Sequence, residues 1–156
     1  MKRKEARAQA LQILYQLDLD PRDPEMVLEE WEKEGKYPQW AKEFVRRLVK
    51  GVWEKREEID THIQRFSTRW RIDRMDRVDR NILRIGAFEI LYCRDIPIKV
   101  AINEAVEMAK KFGSSEDSKG FINAILDKIA KTIPKEEKEN GKSQNHLDER
   151  RVGAMG

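Results

Sequence analysis

Residues 78–92 constrain the fold more than any other segment. Val78, Ile82, Leu83, Ile85, Phe88, Ile90, Leu91 and Tyr92 fall on nearly every side of a helix with 3.6 residues per turn. A helix that is apolar all round must be sheathed, either by lipid or by protein. The chain contains no run of 18 apolar residues, so the sheath has to be protein. This segment is therefore expected to be the buried centre of a bundle whose other helices are amphipathic. Glu89 lies on its apolar side and needs a partner, such as a buried arginine or a backbone amide.

The surrounding segments supply such helices. Ala6, Ala10, Leu11, Leu14 and Leu17 form the stripe of a helix from about Arg3 to Asp18. Asp20-Pro21-Arg22-Asp23-Pro24 is a turn in which Asp23 can cap, and Pro24 can begin, a short helix through Val27, Leu28 and Trp31. Gly35 ends that helix. From near Pro38 the residues Trp40, Phe44, Val45, Leu48, Val49, Val52 and Trp53 run on to Ile59, Ile63 and Phe66, which predicts one long helix. Asp95-Ile96-Pro97 interrupts the helical pattern. Ile98, Ala101, Ile102, Ala105, Val106 and Ala109 then define a helix that Phe112-Gly113-Ser114-Ser115 stops, with Gly113 expected as a left-handed cap. A last helix follows from Asp117, carrying Ile122, Ile125, Leu126, Ile129 and Ile133. No strand pattern occurs. The expected fold is all-α, a compact bundle of about six or seven helices in one domain over residues 1–134. Residues 135–156 carry five basic and five acidic residues without periodicity and read as a disordered charged tail.

Composition narrows the function classes. The net charge of +3 is small for a nucleic-acid binder, so any RNA site must come from local clustering. The single cysteine, Cys93, excludes an internal disulfide, fits a reducing compartment and reads as a core residue. Met1-Lys2-Arg3-Lys4 leads straight into an amphipathic helix with no apolar leader segment, so a soluble, cytoplasmic protein without membrane contact is expected. There is no plausible Cys-His or Ser-His-Asp set, no phosphate-cradling glycine loop and no His/Cys spacing for a metal, and His62 reads as surface. Neither an enzyme nor a bound cofactor or metal is expected.

Three surface features remain. Arg3 and Arg7 project on the line of the first helix's stripe ahead of Ala10. If these first turns overhang the core, Arg3, Lys4 and Arg7 share one exposed arc able to grip phosphates. In RWRIDRMDRVDRN, Asp73 with Arg77 and Asp76 with Arg80 stand at i,i+4 in the favourable order, predicting an ion-pair ladder. In the last helix, Phe121 lies about 100° off the centre of the apolar arc, on a flank shared with Asp117 and Lys128. A ring beside a lysine there suits stacking on an unpaired base, or it simply closes the rim of the core.

Four blocks carry a resemblance. ARAQALQILYQLD, LRIGAFEILY, VAINEAVEMAKKFG and SKGFINAILDKI together resemble the NusB family of transcription antitermination factors, in that family's order and spacing over most of residues 1–133. The resemblance implies pairing with NusE, a ribosomal protein, and binding of the boxA element of nascent RNA. It implies that the complex helps RNA polymerase read through terminators, notably in ribosomal RNA operons. It places Arg3, Lys4, Arg7, Asp117, Lys119 and Phe121 on the RNA face, with Lys128 beside them, and Tyr15 and Asp79 on the NusE face. The family's arginine-rich start is thinner here, since Glu5 interrupts it, so weaker RNA binding without the partner is expected. Two alternatives stand beside this reading. One is a stand-alone relative of the RNA-binding N-terminal domain of ribosomal RNA cytosine methyltransferases. The other is a helical DNA-binding protein, which the acidic residues Asp117 and Asp127 on the last helix disfavour.

Overall fold

Arg77–Tyr92 is helical, and every residue from Asn81 to Leu91 is buried. This computed structural model describes residues 1–134, and among them the segment is the fifth of seven α-helices. They are α1 (Arg3–Leu19), α2 (Pro24–Glu34), α3 (Gln39–Glu54), α4 (Arg56–Phe66), α5 (Arg77–Tyr92), α6 (Ile98–Phe112) and α7 (Ser118–Ala130), with a 3₁₀ turn at Ile72–Arg74 before α5. α5 packs against α1, α3, α4, α6 and α7, while α2 lies outside on α1 and α3. The expected centre and fold class are observed. Each leucine or isoleucine fully buried on α5 contributes about 1.5–3 kcal/mol relative to leaving it in water. The charged tail expected at 135–156 lies outside the described residues.

Capping follows local chemistry. Asp23 accepts the Glu25 amide at 3.0 Å with Pro24 opening α2. Asp76 caps α5, accepting the amides of Val78 at 2.9 Å and Asp79 at 3.2 Å. That second cap dissolves the expected ladder. Asp73 sits in the 3₁₀ turn and pairs with Arg71 at 3.2 Å, while Arg80 turns to Asp18 on α1 at 2.7 Å. An i,i+4 pair requires both residues on one helix, and α5 starts only at Arg77.

The long helix expected from Pro38 to Phe66 is two helices. They meet at Lys55, whose backbone turns to φ −100°, ψ 14°. A straight helix over residues 39–66 would run about 42 Å, overrunning a domain whose radius of gyration is about 14 Å. The bend lets α3 lie on α1 while α4 turns onto α5 and α7. Apolar periodicity continues through the bend, so the pattern alone does not reveal it.

Gly113 ends α6 without a left-handed turn, at φ −59°, ψ 153°. It is needed for closeness instead: a Cβ there would sit 2.4 Å from the Ala109 carbonyl oxygen and 2.8 Å from the Ser118 Cβ. Gly86 likewise lets α6 and α7 approach α5, since a Cβ would meet a Leu126 methyl at 2.6 Å and the Ala105 Cβ at 3.3 Å. Small residues on α6, Ala101, Ala105 and Ala109, take the buried face, leaving Ile98, Ile102 and Val106 half-buried.

Candidate nucleic-acid interface

The N-terminal arc does not form as the helical wheel suggests. Arg7 is only 2% exposed. Its Nε and Nη2 each donate to a carboxylate oxygen of Glu89 at 2.9 Å, and Glu104 stands 3.6 Å from its Nη1. Burial pushes the Glu89 carboxyl up, and the Arg7 guanidinium opposes that shift. Arg7 is therefore the partner that Glu89 requires and is not part of the phosphate-gripping arc. The first turns of α1 do not overhang the core at this position, because α5 packs against α1 and Glu104 of α6 reaches the same guanidinium.

Arg3 and Lys4 are exposed but diverge. The Arg3 guanidinium lies over the Phe44 ring, 4.9 Å from its centroid. Lys4 lines an open groove of about 610 Å³ between the start of α1 and the end of α6, together with Lys2, Lys110, Lys111 and Phe112. Glu5, Glu104 and Glu107 share this groove, and Lys110 pairs with Glu107 at 3.2 Å. Phe112 is 39% exposed, with the Lys111 ammonium 5.4 Å above its ring. The sequence reading does not single out Lys110, Lys111 or Phe112. Two lysines in a last helical turn read as complements to the helix dipole, and only the neighbouring α1 gives them a second use.

Asp79 is buried, 2% exposed, and its carboxylate is occupied. It accepts the Ser114 amide at 3.1 Å, the Ser114 hydroxyl, and the Ser118 hydroxyl at 3.1 Å. It is thus an anchor for the loop joining α6 to α7, which corrects its placement on the partner surface. Ser118 is fully buried and also holds the Ser115 amide at 3.1 Å. Nothing in the spacing of Asp79 to Ser114 announces this contact, since 35 residues separate them.

That loop walls a cleft of about 620 Å³ reaching across to the turn after α4. Asp117, Phe121 and Lys128 line it from one flank of α7. Phe121 is half-buried against the core with its remainder toward the cleft, while Asp117 and Lys128 are exposed. Asp117 immediately precedes α7, yet its side chain caps nothing. Lys119 is exposed but sits about 160° around α7 from Phe121, away from the cleft. The structure therefore gathers Asp117, Phe121 and Lys128, and leaves Lys119 outside both the cleft and the lysine groove. The segment from Glu107 to Asp117 lines the groove with its first half and the cleft with its second.

Tyr15 is half-exposed on α1, one turn before Asp18. Asp18 binds Arg80 at 2.7 Å, Arg84 at 3.3 Å and the Asn81 amide group at 2.9 Å. Burial would raise its carboxyl, but the hydrogen bond from Arg80 and the charge of Arg84 outweigh that and hold it below the ordinary range. Arg84 also forks onto Asp60 with two contacts of 2.8 Å, tying α1, α4 and α5 together.

The sequence profile of the NusB family matches residues 4–131. The chain belongs to the NusB family. The transcription antitermination protein NusB of Myxococcus xanthus (strain DK1622) is 47% identical over 137 residues, covering 85% of this chain and 97% of that protein. The NusB protein of Desulfitobacterium hafniense (strain DSM 10664 / DCB-2) is 40% identical, covering 88% and 93%. Among solved structures, T. maritima NusB superimposes with a TM-score of 0.80 at 41% identity, covering 89% of this chain and 98% of that one. A crystal structure of antitermination factors NusB and NusE in complex with double-stranded RNA gives a TM-score of 0.75 at 30% identity, covering 84% and 97%. NusB similarity thus spans all seven helices described here. Among the described residues no helix is long and apolar enough to cross a membrane.

Proposed function

We propose that this chain is a non-catalytic, cytoplasmic transcription antitermination factor. It pairs with NusE, and the pair binds boxA RNA and helps RNA polymerase read through terminators. The observation that carries the RNA-binding part is the Phe121 flank of α7, where a ring half-buried against the core and an exposed lysine open onto a cleft. Aromatic rings of this kind stack on unpaired bases, which single-stranded RNA offers and duplex DNA does not. Lys4, Lys110 and Lys111 add a second, phosphate-binding patch, and Lys119, exposed on α7, is a further cation for the RNA. Tyr15, half-exposed one turn before Asp18 and the α5 arginines that bind it, remains the residue for the NusE contact, with Asp79 acting only as support for the loop.

The test is a titration of labelled single-stranded boxA-type RNA against the chain, alone and with NusE. The expected order is tightest binding for the complex with RNA and little for duplex DNA of the same sequence. Phe121→Ala should lose about 1–3 kcal/mol of RNA affinity. Equal affinity for duplex DNA, or no gain from NusE, overturns the reading.

A further inference from the structure

The cleft beside α7 has a second aromatic wall. Trp70 is 50% exposed and lines the same cavity as Phe121, from the turn that follows α4. None of the chain's other three tryptophans lines this cleft. Trp31 stacks on Tyr37 with centroids 4.2 Å apart and donates to Gln9, Trp53 lies under Arg56, and Trp40 stands at the start of α3. Trp70 has its backbone fixed although its ring is not buried. The Trp70 carbonyl accepts from the Ser67 hydroxyl at 2.7 Å and from the Gln64 amide group at 3.1 Å. Gln64 in turn accepts the Ile72 amide at 2.8 Å and donates to the Ser67 carbonyl at 3.2 Å. The turn is thus clamped on both sides of a half-exposed indole, so its backbone is already ordered before anything binds.

The charges around this ring suit a polyanion. Arg69, Arg74 and Lys128 line the cleft. Of its three carboxylates, Asp76 accepts two backbone amides and Asp79 accepts Ser114 and Ser118. Only Asp117 faces the cleft without a hydrogen-bonded donor on its side chain. A protein side chain on Trp70 would need no such cationic rim, whereas a nucleotide brings a flat base for the indole and a phosphate for each arginine. We propose that Trp70 stacks on an unpaired RNA base in this cleft, opposite the α7 flank, with Arg69 and Arg74 binding the flanking phosphates. This rests on the RNA-binding function proposed above and extends its surface from α7 to the clamped turn after α4.

The experiment uses the chain with NusE and fluorescein-labelled single-stranded boxA-type RNA. Trp70→Ala should weaken binding roughly 5- to 100-fold, while Trp70→Phe, which keeps a stacking face, should retain most of it. The melting temperature and the NusE affinity should stay unchanged in both. An RNA series with one abasic nucleotide moved along the element then isolates the stack. At one position the wild type should weaken as much as Trp70→Ala does, and the variant should weaken no further. Unchanged affinity in Trp70→Ala, additive losses at every abasic position, or a loss confined to NusE binding each overturn the inference. If Phe121→Ala weakens RNA binding while Trp70→Ala does not, the inference falls and the proposed function stands. If the wild-type complex fails to bind RNA, both fall.

Discussion

Removing either member of the Arg7–Glu89 pair should unfold the protein at a markedly lower temperature without changing how it handles RNA. Arg7 is fork-bonded to Glu89 with two contacts of 2.9 Å, and both side chains are almost fully buried. Breaking such a pair from one side strands a charge and costs about 3–5 kcal/mol. Glu104, 3.6 Å from Arg7, relieves part of that when Glu89 is lost, so Glu89→Gln should cost about 3 kcal/mol. With an unfolding entropy of about 2.1 cal/mol/K per residue over the folded part, this lowers the melting temperature by about 11 °C. In Arg7→Met the Glu89 carboxyl loses its cation, and its pKa, already raised by burial, rises further. The protonated form is then the stable one. Stability is complete below the ordinary Glu value of 4.5 and is lost as pH climbs through the raised one, so Arg7→Met should be less impaired at pH 5 than at pH 8. The double variant Arg7→Met, Glu89→Leu should recover most of the loss. Circular dichroism melts at 222 nm measure all three, and RNA titrations at 20 °C complete the comparison. Arg7 variants that keep the wild-type melting temperature but flatten the salt dependence of RNA binding would refute the buried-pair argument.

Asp79→Ala strands the buried Ser118 hydroxyl and frees Ser114, and should cost about 3 kcal/mol with faster amide exchange in residues 114–118. Replacing Lys4, Lys110 and Lys111 by glutamine should reduce the slope of log affinity against log salt by about 0.7 per lost phosphate contact, so by roughly 2; an unchanged slope makes the groove a solvated face. Asp117→Asn should leave the melting temperature alone, because the side chain caps nothing, and tighten RNA binding about threefold at low salt through loss of one carboxylate about 7 Å from a phosphate. Asp18, held below its ordinary value of 3.8 by Arg80 and Arg84 against the effect of burial, stabilises the fold above that value. This stabilisation disappears as pH falls through the lowered one, so an acid titration of the melting temperature should be shallower in Asp18→Asn.

Much of the fold follows from local sequence. The all-round apolar character of residues 78–92 places α5 at the centre, and Asp23-Pro24 and Pro97 set the starts of α2 and α6. These are consequences of periodicity and of side chains acting on their own backbone, which a linear chain displays. The Phe121 flank with Asp117 and Lys128 is legible for the same reason, since one helix fixes their relative angles.

Where partners come from different helices, the wheel is silent. It marks Arg7 as basic and in line with Arg3, but only the arrival of α5 eighty-two residues later turns Arg7 inward to Glu89. Asp79 and Asp76 look alike in a repeating Arg–Asp run. One caps its own helix, and the other anchors a loop 35 residues away. The bend at Lys55 is hidden because both halves of residues 39–66 keep the same apolar rhythm while packing on different neighbours. Trp70, Lys110, Lys111 and Phe112 acquire their surroundings the same way. The sequence determined which residues form helices and which face of each is apolar, because those depend on neighbours within a turn or two. Burial of charge, the bend and the two grooves were decided by tertiary structure, because desolvation and close approach exist only once separate helices meet.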